Sequence, residues 1–136
     1  MTRYLRPLAL GALCLLPGVL AAQELPPLSE VEVVTEGLIQ TAIAYEIGEV
    51  CESIDGRKIA GIAFLWSLHS EARRLGYSRE EIEAFVDDDV EKDRLEAIAR
   101  ERLAGMGAVE GSPDTYCEVG RAEIAAGTQV GKLLSD

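Results

Sequence analysis

Apolar residues recur at three- and four-residue steps along most of the chain, and no stretch alternates with a period of two. That pattern predicts an all-α fold. Ser29 and Glu32 have the spacing of a capping box, with Leu28 and Val33 at the staple positions around it. They open a first helix over about 29–51, with a break expected near Gly37. Its stripe is Ile39, Ala42, Ile43, Ile47, Val50 and Cys51. Asp55 reads as the N-cap of a second helix, 55–75, with Ile54 and Ile59 as its staple and Gly76 as its C′ residue. Between Ile59 and Leu68 only Ser67 is polar. A helix apolar nearly all round is expected to be buried, so this one is expected at the centre with the rest of the chain packed around it. Ser78 and Glu81 form a second capping box, stapled by Tyr77 and Ile82. They start a helix over 78–105 that should bend or restart at Asp87-Asp88-Asp89. Ser112-Pro113-Asp114 opens the last main helix, 112–126, ended by Gly127. Thr128–Leu134 is expected as a short terminal turn docked by Val130, Leu133 and Leu134. The pattern as a whole is a compact bundle of four main helices with short connections.

The first 22 residues stand apart from this pattern. Arg3 and Arg6 precede an apolar run, Leu8–Leu16. Pro17-Gly18 breaks the run, and Val19-Leu20-Ala21-Ala22 ends in small residues. This is the form of a secretory signal peptide cleaved after Ala22, or else after Ala21. It is too short for a membrane span, and Cys14 lacks the residues of a lipobox. Residues 23–136 then form a single domain with no integral membrane segment. Losing Arg3 and Arg6 leaves 11 of the 13 basic residues against 24 acidic ones, and moves the formal charge from −11 to −13. Nucleic acid and anionic membrane surfaces both call for a basic face, so the overall charge argues against them.

Processing leaves two cysteines, Cys51 and Cys117. In an exported protein an even count reads most simply as one disulfide. A closure from 51 to 117 contributes roughly 4 kcal/mol by chain entropy, less any native strain. The competing reading, a thiol–metal site with His69, lacks a fourth ligand and any CxxC or HxxxH spacing.

Candidate chemistry is sparse. His69 is the sole histidine and ends the apolar run. A base or ligand there needs a partner that sets its tautomer, and Glu71 and Arg73 project elsewhere on a helix. The run Asp87–Asp93 fails the calcium-loop template, because Lys92 stands where glycine is needed and Ile98 where the last glutamate belongs. Glu46, Glu49, Glu118 and Glu123 lie among apolar residues. Paired carboxylates of this kind do acid–base work only at a fixed separation in a cleft, and pairing with Arg57 or Arg121 is their plainer role. There is no GxSxG, phosphate loop or haem-attachment motif. No cofactor is implied.

Four stretches resemble a known family: LPPLSEV at 25–31, EGLIQTAIAYEIGEVC at 36–51, FLWSLHSEARRLGYSREEIEAFV at 64–86 and SPDTYCEVGRAEIAAGTQVGKLL at 112–134. Its members are small exported alphaproteobacterial proteins catalogued as a domain of unknown function. The resemblance spans nearly all of the chain after residue 22. It is most specific at Ala72–Ser78 and Tyr116–Gly131. It implies a signal peptide and a cysteine pair, and brings no activity. Arg121, Glu123 and Gln129 fall in its most distinctive segment and join His69 as candidate functional residues. Their plainer role is a hydrogen-bond network at the helix end around Gly127.

These readings favour a periplasmic or secreted helical module that is not an enzyme and that binds an envelope protein or peptide. The alternatives are a carboxylate-based hydrolase or lyase, and a carrier of a small apolar ligand held between helices near Trp66.

Overall fold

The computed structural model describes residues 23–136. The expected signal peptide and its Cys14 lie outside the described residues. Among those residues there are six α-helices and one two-stranded ribbon. The helices are α1 (Glu32–Val50), α2 (Lys58–Leu75), α3 (Arg79–Val86), α4 (Asp89–Met106), α5 (Pro113–Ala126) and the short α6 (Gln129–Lys132). The strands β1 (Asp55–Gly56) and β2 (Leu134–Ser135) pair antiparallel, Asp55 with Ser135 and Gly56 with Leu134.

The centre of the fold is α1, which touches α2, α4, α5 and α6. It runs unbroken through Gly37, and buries Val34, Ile39, Ile43, Ala44 and Ile47. The absent side chain of Gly37 makes room for a neighbour, since a Cβ there would stand 2.7 Å from Leu68 Cδ1 on α2. The main core gathers around Ile43, Ile47, Cys51 and Ile54 from the first half of the chain. Leu95, Ala99, Leu103, Val119, Val130 and Leu134 join them from the second. A second cluster, Leu28, Val34, Ala72, Tyr77 and Ile82, seals the other end of α1.

The expectation of a buried, central second helix is therefore corrected. Only Leu68 and Ala72 of α2 are buried, while Phe64 and Ala60 lean on the core from the side. Ile59, Ile62, Leu65 and Trp66 face outward at 86%, 57%, 41% and 64% exposure. One face of α2 packs on α1, and nothing among the described residues covers the other.

Two helix starts are also corrected. Leu28–Glu30 forms a 3-10 turn, closed by Glu30 N–H to Pro27 O at 2.9 Å, and α1 starts beyond it with no side-chain cap on Val31. Pro27 is held extended, which delays the helix past Ser29. Ser29 and Glu32 form no box, and Val33 is exposed. Asp55 caps nothing, because β2 recruits its backbone into the ribbon. The Arg57 N–H then bonds Leu133 O at 2.8 Å, and α2 begins at Lys58. Ile54 is 1% exposed, turned away from the exposed Ile59.

Other expected signals are present. Ser78 and Glu81 make the reciprocal capping box. The hydrogen bond from the Ser78 backbone N–H, with that from its side chain, holds the Glu81 carboxyl below the ordinary range. The chain restarts within the aspartate run, where the Asp88 carboxylate accepts from Val90 N–H at 2.9 Å and Glu91 N–H at 3.2 Å. Pro113 sits at the start of α5, although Ser112 gives it no side-chain cap. Gly76, Gly107 and Gly127 end α2, α4 and α5 in the left-handed conformation. The tail docks as expected, with Val130, Leu133 and Leu134 buried.

Candidate functional site

The structure pairs Cys51 and Cys117, with Cα atoms 5.2 Å apart. The bridge joins the C-cap of α1 to the first turns of α5, and both cysteines are buried. Ser53 stands beside it. Its hydroxyl lies 3.4 Å from Cys51 Sγ and donates toward Cys117 Sγ at 3.8 Å. An Arg121 N–H donates to the same Ser53 oxygen at 2.8 Å. Arg121 thus fastens the Cys51–Ser53 loop to α5.

The remaining candidates are dispersed. The Glu123 side chain accepts from the Thr128 hydroxyl across the turn at Gly127, and Thr128 in turn accepts from Gly131 N–H at 3.0 Å. Together they form a helix-end network around Gly127 in which, of the three residues expected there, Glu123 takes part while Arg121 turns to Ser53 instead. Gln129 is half-buried in the first turn of α6. His69 is far along the chain on α2, half-buried, with its ring set edge-on to Trp66 at a centroid distance of 5.5 Å and an interplanar angle of 73°. No hydrogen bond or ion pair among the described residues joins His69 to Arg121, Glu123 or Gln129. Nor do the four glutamates converge: Glu49 and Glu118 are exposed, Glu123 is committed to Thr128, and Glu46 alone borders a cleft. Among the described residues no group of three or more His, Cys, Asp or Glu is arranged to hold a metal ion.

That cleft lies between α1, α3 and α4, with a volume of about 360 Å³. Leu38, Ala42, Phe85, Leu95 and Ala99 give it an apolar floor, while Glu46, Glu91, Lys92, Glu96 and Arg100 stand around the rim. Two rim carboxylates are engaged, Glu91 with Arg94 at 2.8 Å and Glu96 with Arg100 at 3.8 Å. The shape and lining suit an apolar group with a polar end. Trp66, where a ligand space was expected, takes no part in it.

The outer face of α2 is the other feature that the pattern of the chain concealed. At 100° per residue Lys58, Ile62, Leu65, Trp66, His69 and Arg73 fall on one half of the helix. Ile62, Leu65, Trp66 and His69 enclose only a shallow depression. No acidic residue occurs between Asp55 and Glu71, in a chain with 24 of them. Glu71 lies toward the packed side, and its bond from Arg74 holds its carboxyl below the usual range. A run without acids in an acidic chain was legible as a signal; its exposure was not.

These observations define a helical protein clasped by one disulfide, with an apolar cleft and an uncovered apolar helix face. The chain belongs to the Family of unknown function (DUF5333), whose model matches residues 26–135. No curated protein and no solved structure matches it.

Proposed function

We propose that the protein is an exported, non-enzymatic binding or accessory module of the cell envelope, and that it docks through the outer face of α2. The observation that carries this is the exposure of Ile59, Ile62, Leu65 and Trp66 side by side. Together they make an exposed apolar patch of the kind that often marks a functional surface. In this reading residues 1–22 are a signal peptide, residues 23–136 are one domain, and the family is one of small exported alphaproteobacterial proteins. The Cys51–Cys117 bridge supports a periplasmic or secreted location, since such bonds persist in oxidising compartments.

A photo-cross-linking residue at Ile62, in living cells, tests the docking. Saturable adducts from this position and none from the exposed Glu118 on α5 are expected. Equal labelling from both positions, or none from either, would refute it. Mass spectrometry of the exported protein tests the cleavage after Ala22.

The cleft supports a second reading, a carrier of a small apolar ligand. Native mass spectrometry of protein from its own host would show the bound mass, and a bulky Ala42→Phe variant would lose it.

A further inference from the structure

We infer that the outer face of α2 is an anchor for the surface of an anionic phospholipid bilayer, an inference that rests on the reading of that face as the docking surface. Ile59, Ile62, Leu65 and Trp66 enter the interface between headgroups and acyl chains, and Lys58 and Arg73 meet the lipid phosphates.

The shape points to an occupant that receives the ridge. Ile59 and Trp66 stand out from a convex helix, and the depression among Ile62, Leu65, Trp66 and His69 lies wide open to the surface. An amphipathic helix lying in the plane of an interface buries its apolar face in this way, with basic residues beside the stripe and tryptophan at headgroup depth. No helix among the described residues is long and apolar enough to cross a membrane. The protein would therefore rest on the surface.

Charge narrows the occupant further. Lys58 and Arg73 bracket the stripe at its two ends and both are exposed, Arg73 with one guanidinium N–H donating to Tyr77 O at 2.8 Å and the rest of the group facing outward. A second copy packed antiparallel would set the Lys58 end against the Arg73 end of its neighbour. Packed parallel, it would set like ends together, so either arrangement brings cation to cation. An anionic surface is complementary along the whole stripe. The net charge of −13 left after removal of residues 1–22 argues the other way. That charge lies outside the stretch between Asp55 and Glu71, and screening over about 8 Å at physiological salt weakens whatever of it lies farther from the membrane.

Trp66 is the only tryptophan, so its emission reports this face alone. The disulfide-bonded protein isolated from expressing cells, its N-terminus established by mass, is mixed with vesicles of phosphatidylethanolamine and phosphatidylglycerol. Phosphatidylcholine vesicles serve as the comparison. Expected are a blue shift of Trp66, quenching by brominated acyl chains, and binding that weakens with added salt. Ile62→Glu and Lys58→Glu should each weaken binding about tenfold or more. Both positions are exposed, so the variants should keep the far-ultraviolet circular dichroism and lack of free thiols of the parent. An unshifted Trp66 on anionic vesicles overturns the inference. So does binding that survives both substitutions, which would place the contact elsewhere in the chain. If Trp66 stays unshifted while Ile62 cross-links saturably to a protein in cells, the lipid falls and the docking face stands. If neither happens, both fall.

Discussion

Ile54 lies over the bare α-carbon of Gly120. A Cβ on Gly120 would stand 2.6 Å from Ile54 Cδ1 and 2.8 Å from Ile47 Cγ2. Ile47 and Ile54 are 0% and 1% exposed and have nowhere to retreat. The missing methyl is what lets α5 approach the end of α1, where the disulfide also holds it. Gly120→Ala should destabilise the protein by about 1–3 kcal/mol through overpacking. Gly61→Ala makes the opposite case, because a Cβ there meets nothing within 4 Å. Its gain in helix propensity should stabilise by about 0.5–1 kcal/mol. Urea unfolding of the two variants should give midpoints on opposite sides of the parent.

The bridge between Cys51 and Cys117 closes a sequence separation of 66 residues. Constraint of the unfolded chain makes such a closure worth about 2–4 kcal/mol. The double variant Cys51→Ala/Cys117→Ala should lose that amount, and the parent unfolded in reductant should match it. A double variant as stable as the oxidised parent would mean that Arg121, Ser53 and the packing at Gly120 hold α5 without help.

Arg102 on α4 donates to the Glu36 carboxylate on α1 at 2.6 Å. Foremost through that hydrogen bond, against a smaller opposing desolvation, it holds the Glu36 carboxyl below its ordinary range. With the folded value depressed, the pair stabilises the native state above the unfolded carboxyl's range, near pH 4.3. That contribution is lost as pH falls through the lower folded value. Both side chains are more than a third exposed, so solvent screening limits it to about 0.2–1 kcal/mol. A cycle with Glu36→Gln and Arg102→Met should show this coupling at pH 7. It should shrink in high salt and vanish well below pH 4. A coupling unchanged by acid would assign the link to packing.

The helical class, the cysteine pair, the Ser78–Glu81 box and the restart at Asp88 were legible because each is written locally, in spacing or in a cap. The place of α2 was not. A run such as Ile59–Leu68 is apolar on both faces, and hydropathy does not say which face finds a partner. The longer α1 buries its own stripe on several sides, and Gly37 and Gly120 admit neighbours to it. Those contacts depend on tertiary approach, which spacing does not encode. The false cap at Asp55 has a similar cause, because its backbone is taken by Ser135, at the far end of the chain. At the candidate site, His69 and the Arg121–Gln129 segment were recognisable as residue types. Their separation, and the cleft beside Glu46, arise only from how the helices are set together.

Tyr77 ties the lead-in of residues 23–31 to the α2–α3 corner. Its ring is buried against Leu28 and Val34, and its hydroxyl donates to Pro26 O at 2.6 Å. Tyr77→Phe keeps the ring and removes the bond. Pro26 is exposed, so its freed carbonyl turns to water and the loss is about 0.5–1.5 kcal/mol. That loss should fall on the lead-in alone, because the 3-10 turn at Leu28–Glu30 can open without disturbing the Ile43–Ile47 core. The Glu30 and Val31 amides, which bond Pro27 O and Leu28 O, should then exchange with solvent roughly three- to tenfold faster. Amides in the middle of α1 should keep the parent rate. If Glu30 and Val31 exchange unchanged, burial of Leu28 holds the lead-in and the hydroxyl is dispensable. If the α1 amides accelerate with them, the second cluster unfolds as one unit with the core.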